Sequence, residues 1–89
     1  MPCYIISYDL DLRGTRNYES LYEGIKSYGT WAHITQSTWA IVTDAPAEAV
    51  RDNLLSFIDG NDRLFVVKSG TAAAWRNVIC NNEWLKKYL

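Results

Sequence analysis

The sequence is short of histidine and cysteine, and it has no excess of basic residues. His33 is the single histidine, and the two cysteines, Cys3 and Cys80, stand near opposite ends of the chain. No Cys/His cluster of the kind that holds zinc is therefore present in the sequence. The net charge of −1 lacks the strong basic excess typical of dedicated nucleic-acid binders, although it leaves room for a local basic patch. No phosphate-binding loop, dinucleotide fingerprint or hydrolase elbow occurs either.

Long hydrophobic runs are also missing, and none approaches the roughly 20 residues that a membrane helix needs. Residues 1–6 have no basic segment and no small-residue cleavage site, so they are typical of a strand rather than of a signal peptide. We therefore expect a soluble, cytoplasmic protein without a membrane partner. The two cysteines could form a disulfide in principle, but buried free thiols are the commoner outcome in such a chain. A length of 89 residues predicts a single domain, residues 1–89.

Aromatic residues, by contrast, are abundant. The chain has four Trp, six Tyr and two Phe, and a domain of this size has only a modest core in which to bury them. Some of these rings are expected to remain on the surface of a protomer, which favours self-association.

Hydrophobic periodicity predicts the order strand, helix, strand, strand, helix, strand. The predicted strands are residues 3–9, 30–35, 38–43 and 63–68. Asn17 caps the first predicted helix and Gly29 ends it, while residues 44–46 open the second. This order predicts an α+β domain with a ferredoxin-like βαββαβ fold, in which both helices cover one face of a four-stranded antiparallel sheet.

The C-terminal segment, residues 69–89, fits this scheme less directly. Residues 69–77 are compatible with a loop, a short helix or an extra edge strand, and residues 82–89 have the apolar stripe of a short helix. The first, third and fourth predicted strands are apolar at both parities, whereas a sheet covered on one face alternates apolar and polar residues. The second face is therefore expected to be covered by the C-terminal segment, by a partner, or by both.

Acidic residues at the end of the first strand are the main candidates for chemistry. If the strand continues to residue 11, Ser7, Asp9 and Asp11 share one face. Two carboxylates at that spacing suit Mg²⁺, an ion that supports phosphodiester cleavage. Arg13 and Arg16 follow directly and are candidates for binding phosphate. On spacing alone, an acidic turn whose Asp side chains bond backbone N–H groups is the commoner outcome, and both interpretations stay open.

Two polar residues around the predicted hairpin have similar alternatives. His33 lies within the second strand, where a hydrogen-bonded structural role is commoner than general-base catalysis, and no nucleophile stands at a recognisable spacing from it. Ser37, in the polar segment before the third strand, either contacts phosphate or satisfies the backbone of the turn. Trp31, Trp39 and Trp75 are candidates for the sheet face or for a dimer contact.

Three features together resemble the small CRISPR-associated Cas-two family and its standalone relatives, including SinR-like and VapD-like proteins. They are the first strand YIISYDL, the segment TQSTWAIV that runs from the turn into the third strand, and the length near ninety residues. The resemblance covers about the first two-thirds of the chain, through Lys68.

The resemblance implies a ferredoxin-like protomer that forms a symmetric homodimer through its sheet faces, with C-terminal segments exchanged or packed across. The proposed metal-binding Asp of the family matches Asp9, and the Ser of its polar turn matches Ser37. Family members include metal-dependent ribonucleases and deoxyribonucleases, and others are structural DNA-binding adaptors. The resemblance thus implies a dimeric, Mg²⁺-dependent endonuclease acting on RNA or DNA, with Asp9 and Asp11 at the metal and Arg13, Arg16 and Ser37 on the nucleic acid. The alternative is a non-catalytic dimeric module for nucleic-acid binding or assembly.

Overall fold

A computed structural model of the chain describes residues 1–10, 18–70 and 72–89. Its elements are, in order, β1 (Cys3–Asp9), α1 (Tyr18–Lys26), β2 (Thr30–Thr35), β3 (Thr38–Val42), α2 (Ala47–Leu55), β4 (Arg63–Lys68) and α3 (Asn82–Tyr88). The predicted α+β class and order of elements are confirmed, and the short C-terminal helix is present. Asn17, the predicted cap of the first helix, lies outside the described residues. α1 and α2 are each followed by a turn, and these turns carry the apolar residues Tyr28, Phe57 and Ile58.

The four strands form one antiparallel sheet in the order β2-β3-β1-β4. β1 therefore lies inside the sheet, between β3 and β4, and its whole length is paired. Tyr4 stands opposite Ile41 of β3 and Lys68 of β4, and Asp9 stands opposite Arg63 of β4. A bulge between His33 and Thr35 shifts the pairing of β2 with β3 just before the turn. The described helices include none that is long and apolar enough to cross a bilayer.

The main core lies between the sheet and helices α1 and α2. The even-numbered side chains of β1 point into it, because alternate residues of a strand face opposite sides of a sheet. Its buried members are Tyr4, Ile6, Tyr8, Leu21, Ile25, Trp39, Ile41, Val50, Leu54 and Ile58. α1 approaches the turn that follows α2 closely at Gly24, where an added Cβ would stand 2.7 Å from the ring of Phe57. Glycine is required there by space rather than by backbone conformation.

The other face of the sheet is covered over one half by α3. Cys3, Ala40 and Val42 are buried beneath the helix, and the side chains packed against them are Ile5, Ile34, Trp84, Tyr88 and Leu89. This explains why the central strands are apolar at both parities. The cover does not reach β4, where Phe65 is 62% exposed and Val67 is 41% exposed. Half of this face thus remains open.

The segment between β4 and α3 runs from one edge of the sheet to the other. Ser69 N–H donates to Cys3 C=O beside β4, and Ile79 N–H donates to Ile34 C=O on β2, both at 2.8 Å. Its described residues, 69–70 and 72–81, contain neither helix nor strand, so a loop is the correct alternative for that stretch. Both cysteines are free thiols, as predicted, with Cys3 buried and Cys80 partly buried.

Candidate functional site

The strongest site candidate lies at the open half of the sheet, where β1 ends at Asp9. The Asp9 side chain points to the same side as Ser7 and α3, because odd-numbered residues of β1 share that face. Arg63, the first residue of β4 and the cross-strand neighbour of Asp9, donates from Nη1 to Asp9 Oδ2 at 2.9 Å. The two side chains are 69% and 82% exposed, so this ion pair contributes little to stability and exchanges readily for another partner.

An open cavity of about 300 Å³ adjoins this ion pair. Its lining residues come from two neighbouring stretches of β1 and β4, namely Ser7, Tyr8, Asp9, Arg63, Leu64 and Phe65. The cavity therefore combines a carboxylate, a guanidinium and a hydroxyl with an exposed aromatic ring. This set can bind a phosphate through the guanidinium and a cation or an attacking water through the carboxylate.

Ser37 lies at the same end of the sheet as Asp9. It is exposed in the two-residue turn between β2 and β3, and its C=O accepts from Tyr8 N–H at 3.1 Å. Ser37 therefore lies directly before β3, the strand next to β1, and beside Tyr8, the residue that precedes Asp9. Of the predicted site residues, the structure brings these two to one end of the sheet.

Polar contacts of Tyr8 and His33 hold the Ser37 turn against the core. The Tyr8 hydroxyl donates to Gln36 C=O at 3.2 Å and accepts from Trp39 Nε1 at 3.0 Å. His33 Nε2 lies 3.3 Å from the same carbonyl, and its ring stacks on Trp39 with the centroids 4.1 Å apart. His33 is thus a hydrogen-bonded residue of the turn, in agreement with the structural interpretation of a lone strand histidine.

Asp11, Arg13 and Arg16, the other predicted site residues, lie outside the described residues. Within residues 1–10, 18–70 and 72–89, no three His, Cys, Asp or Glu side chains gather as a metal-binding group. Among the described residues that line the cavity, Asp9 and Ser7 carry side-chain oxygens on this face of the sheet.

Arg63 is the site residue that sequence analysis missed. The available indication was its position, because an arginine that begins the last strand stands opposite the end of β1 if the two strands are antiparallel neighbours. That neighbour relation is a property of the sheet order, which only the fold supplies. Phe65 was assigned to a strand, but its exposure depends on α3 stopping short of β4. No known protein-family model matches the chain.

Proposed function

We propose that this chain is a Cas-two-like protein that works as a cytoplasmic homodimer and cleaves phosphodiester bonds of RNA or DNA in a metal-dependent reaction. The observation that carries the proposal is the position of Asp9. It ends an inner strand, on the uncovered half of the sheet, beside Arg63 and an exposed apolar patch formed by Phe65 and Val67.

A ferredoxin-like assignment of the fold is part of the proposal. Its support is the βαββαβ order of the first six elements and a fully antiparallel sheet whose order, counted from β4, is β4-β1-β3-β2. α3 is then an addition to that fold, and it covers β3, the start of β1 and Ile34 of β2.

The open half of the sheet suits a symmetric dimer. A two-fold interface brings the same surface of each protomer together, so Phe65 and Val67 would pack against their own counterparts. An apolar patch that is exposed on a protomer commonly marks the surface through which that protomer binds another molecule. Asp9 lies at the margin of the patch, and a two-fold axis close to it would bring two Asp9 carboxylates together.

The donor set fits Mg²⁺ in the dimer better than in the protomer. Mg²⁺ keeps several waters and commonly takes one or two protein carboxylates. Two symmetry-related Asp9 side chains would meet that need, with Asp11 as a further candidate. Bound there, the ion would supply a water-derived hydroxide and neutralise charge on the phosphate.

The remaining side chains have roles in binding. Arg63, released from its exposed ion pair with Asp9, would donate to phosphate oxygens, and its planar guanidinium allows two parallel hydrogen bonds. Ser37 would donate its hydroxyl to a neighbouring phosphate. Arg13 and Arg16, which lie outside the described residues, are further candidates for binding phosphate.

Cleavage is tested with Asp9→Asn, a change that keeps the size of the side chain and removes its charge. We expect loss of Mg²⁺-dependent cleavage of RNA and DNA with the dimer intact. The matched control is Asp44→Asn, because Asp44 is an exposed carboxylate that follows β3, at the other end of the sheet. Undiminished cleavage by Asp9→Asn would refute the assignment of Asp9.

The dimer is tested separately with Phe65→Ser and Val67→Ser by analytical ultracentrifugation. We expect both changes to shift the wild-type dimer towards monomer. Leu55→Ser is the control, because Leu55 is also exposed, at 47%, but lies on α2 at the opposite face of the sheet. A wild-type protein that is monomeric at micromolar concentration would contradict the dimer.

A non-catalytic module for nucleic-acid binding or assembly is the second candidate. The observation that favours it is the Asp9–Arg63 ion pair, which satisfies the carboxylate without a metal. It predicts no heat of binding when Mg²⁺ or Mn²⁺ is titrated into the dimer, and no cleavage by the wild-type protein. Nucleic-acid binding that survives Asp9→Asn but weakens on Arg63→Ala would then identify the module.

A further inference from the structure

Asp9 and Arg63 are held opposite each other by the backbone of the sheet. They are register partners at the end of β1 and the start of β4. Ser69 N–H donates to Cys3 C=O at 2.8 Å, so the odd-numbered residues of β1, Asp9 among them, direct their backbone groups towards β4. Asp9 and Arg63 therefore form a hydrogen-bonded pair of the ladder, in which the two Cα atoms are about 5.5 Å apart.

The contact between their side chains is a single hydrogen bond in an exposed position. Arg63 Nη1 donates to Asp9 Oδ2 at 2.9 Å, and the two side chains are 82% and 69% exposed. Within the described part of the chain, no second hydrogen bond holds either side chain in this arrangement. Ion pairs this exposed are weak, whereas strong arginine–carboxylate pairs are commonly bidentate. Arg63 can therefore leave Asp9 for another anion at little cost in free energy.

The neighbours of this ion pair on the same face of the sheet are neutral. Ser7 and Phe65, the adjoining register pair, line the same open cavity of about 300 Å³. Asp9 and Arg63 are the two charged residues among the described lining of that cavity. An anion that approaches the guanidinium therefore competes with a carboxylate that is already hydrogen-bonded to it.

We propose that Arg63 is an exchangeable counter-ion that alternates between Asp9 and the phosphodiester, so that Asp9 opposes phosphate binding until a cation takes up its charge. The proposal rests on the proposed function for the identity of both ligands. A divalent cation at Asp9 would release the guanidinium, and a phosphate on the guanidinium would release the carboxylate. By thermodynamic linkage, each ligand then raises the affinity for the other by the same factor. The strength of an exposed ion pair limits this factor to roughly two- to fivefold.

The exchange gives the Asp9 charge two effects of opposite sign on the proposed reaction. Its loss removes the cleavage assigned to Asp9, and it also frees Arg63 and so strengthens binding of an uncleaved strand without metal. A carboxylate that acted only by repelling phosphate would give a similar gain in binding when it was neutralised. That gain would not depend on Arg63, so the dependence on Arg63 is the quantity that identifies the exchange.

The first experiment measures binding in the absence of metal. Wild type, Asp9→Asn, Arg63→Ala and the double variant are titrated in EDTA with a fluorescent 2′-O-methyl phosphorothioate hexanucleotide, whose linkages resist cleavage. We expect Asp9→Asn to bind roughly two- to fivefold more tightly than wild type, and Arg63→Ala to bind more weakly. Combined with Arg63→Ala, Asp9→Asn should bring no gain, since a double-mutant cycle isolates the interaction between the two side chains. An equal gain in both backgrounds would refute the exchange, and so would no gain in either.

Asp44→Asn is the matched control for the loss of one negative charge. Asp44 is an exposed carboxylate that follows β3, at the other end of the sheet from Asp9. Its neutralisation changes the net charge by the same amount and frees no guanidinium at the cavity. We expect it to leave binding of the hexanucleotide close to the wild-type value, and a gain as large as that of Asp9→Asn would refute the exchange.

The second experiment measures the coupling with metal by isothermal titration calorimetry. Mg²⁺ is titrated into the protein alone and into the protein saturated with the same hexanucleotide, and a titration into the strand alone is subtracted. We expect the bound strand to raise the affinity for Mg²⁺, and Arg63→Ala to reduce that rise by roughly two- to fivefold. An equal rise in both proteins would overturn the exchange, because direct attraction between cation and phosphate would then account for all of the coupling.

Failure of the proposed function gives a different pattern of results. Absence of Mg²⁺ binding, with the gain of Asp9→Asn still dependent on Arg63, would refute metal-dependent cleavage and support the exchange. Mg²⁺-dependent cleavage without that dependence would refute the exchange and support the cleavage.

Discussion

Replacing Tyr8 with phenylalanine removes a single buried hydroxyl that connects β1, β3 and the Ser37 turn. The hydroxyl accepts from Trp39 Nε1 at 3.0 Å and donates to Gln36 C=O at 3.2 Å. Trp39 is only 2% exposed, so its N–H would be left without a partner where water has little access. An unsatisfied buried donor costs about 1–3 kcal/mol, and each kcal/mol lowers the Tm of a small domain by roughly 4–8 °C. We expect Tyr8→Phe to lower the free energy of unfolding by about that amount.

Tyr4→Phe is the matched control for this prediction. Tyr4 lies on the same strand and the same face, and both tyrosines are 6% exposed. Among the described residues, the Tyr4 hydroxyl has no hydrogen-bond partner, so its removal should cost clearly less. Urea unfolding followed by circular dichroism gives both values, and an unchanged m-value would indicate that stability alone has changed. Equal midpoints for the two variants would refute the role assigned to the Tyr8 hydroxyl.

Further predictions concern the helix contact, the α3 cap and the buried thiol. Gly24→Ala should destabilise the protein in urea unfolding, because overpacking against Phe57 costs about 1–3 kcal/mol, more than the roughly 1 kcal/mol gained in helix propensity. Adding Phe57→Leu should restore stability, and a Gly24→Ala protein more stable than wild type would contradict the close contact. Asn81→Ala removes the side chain that accepts from Glu83 N–H at 2.7 Å at the start of α3, which should cost about 1 kcal/mol and speed the alkylation of Cys3 by iodoacetamide. An unchanged alkylation rate would mean that α3 does not protect Cys3. Burial raises the pKa of the Cys3 thiol, and a hydrogen bond with Ser69 partly offsets this rise. The neutral thiol therefore contributes its full stability below the ordinary thiol pKa of about 8.5. That contribution is lost as the pH rises through the higher pKa of the folded state. Cys3→Ala should therefore flatten the alkaline fall in Tm, and an identical fall in both proteins would contradict this.

The local sequence predicts the first and last residues of a strand well where turn-forming residues stand beside it. β2 and β4 begin and end at the predicted residues, because Gly29 precedes one and residues 59–62, a run of turn formers, precede the other. The helices were less well bounded. α1 ends at Lys26, ahead of the predicted limit near Gly29, because tighter turn hydrogen bonds replace the helical ones over the last residues.

Features that depend on the order of strands were not accessible from the sequence. The Asp9–Arg63 pair joins residues 54 positions apart, and it exists because β4 lies beside β1 in this register. The path of the C-terminal segment across the sheet likewise depends on the Ile79–Ile34 hydrogen bond, which anchors that segment at the far edge. Periodicity reports which way a side chain faces within its own element, and it contains no information on which distant segment covers that face.

The outer position of β4 has a consequence for how the protein behaves in concentrated solution. An outer strand with apolar side chains is a template for pairing with strands of other chains, which leads to aggregation. The apolar run of β4 is bounded by Arg63 and Lys68, both exposed, and flanking charges of this kind act as gatekeepers that keep such strands apart. Arg63 therefore has two roles: its charge opposes aggregation at the outer strand, and its guanidinium pairs with Asp9. Removing this side chain is expected both to promote aggregation and to weaken phosphate binding in the proposed cleavage.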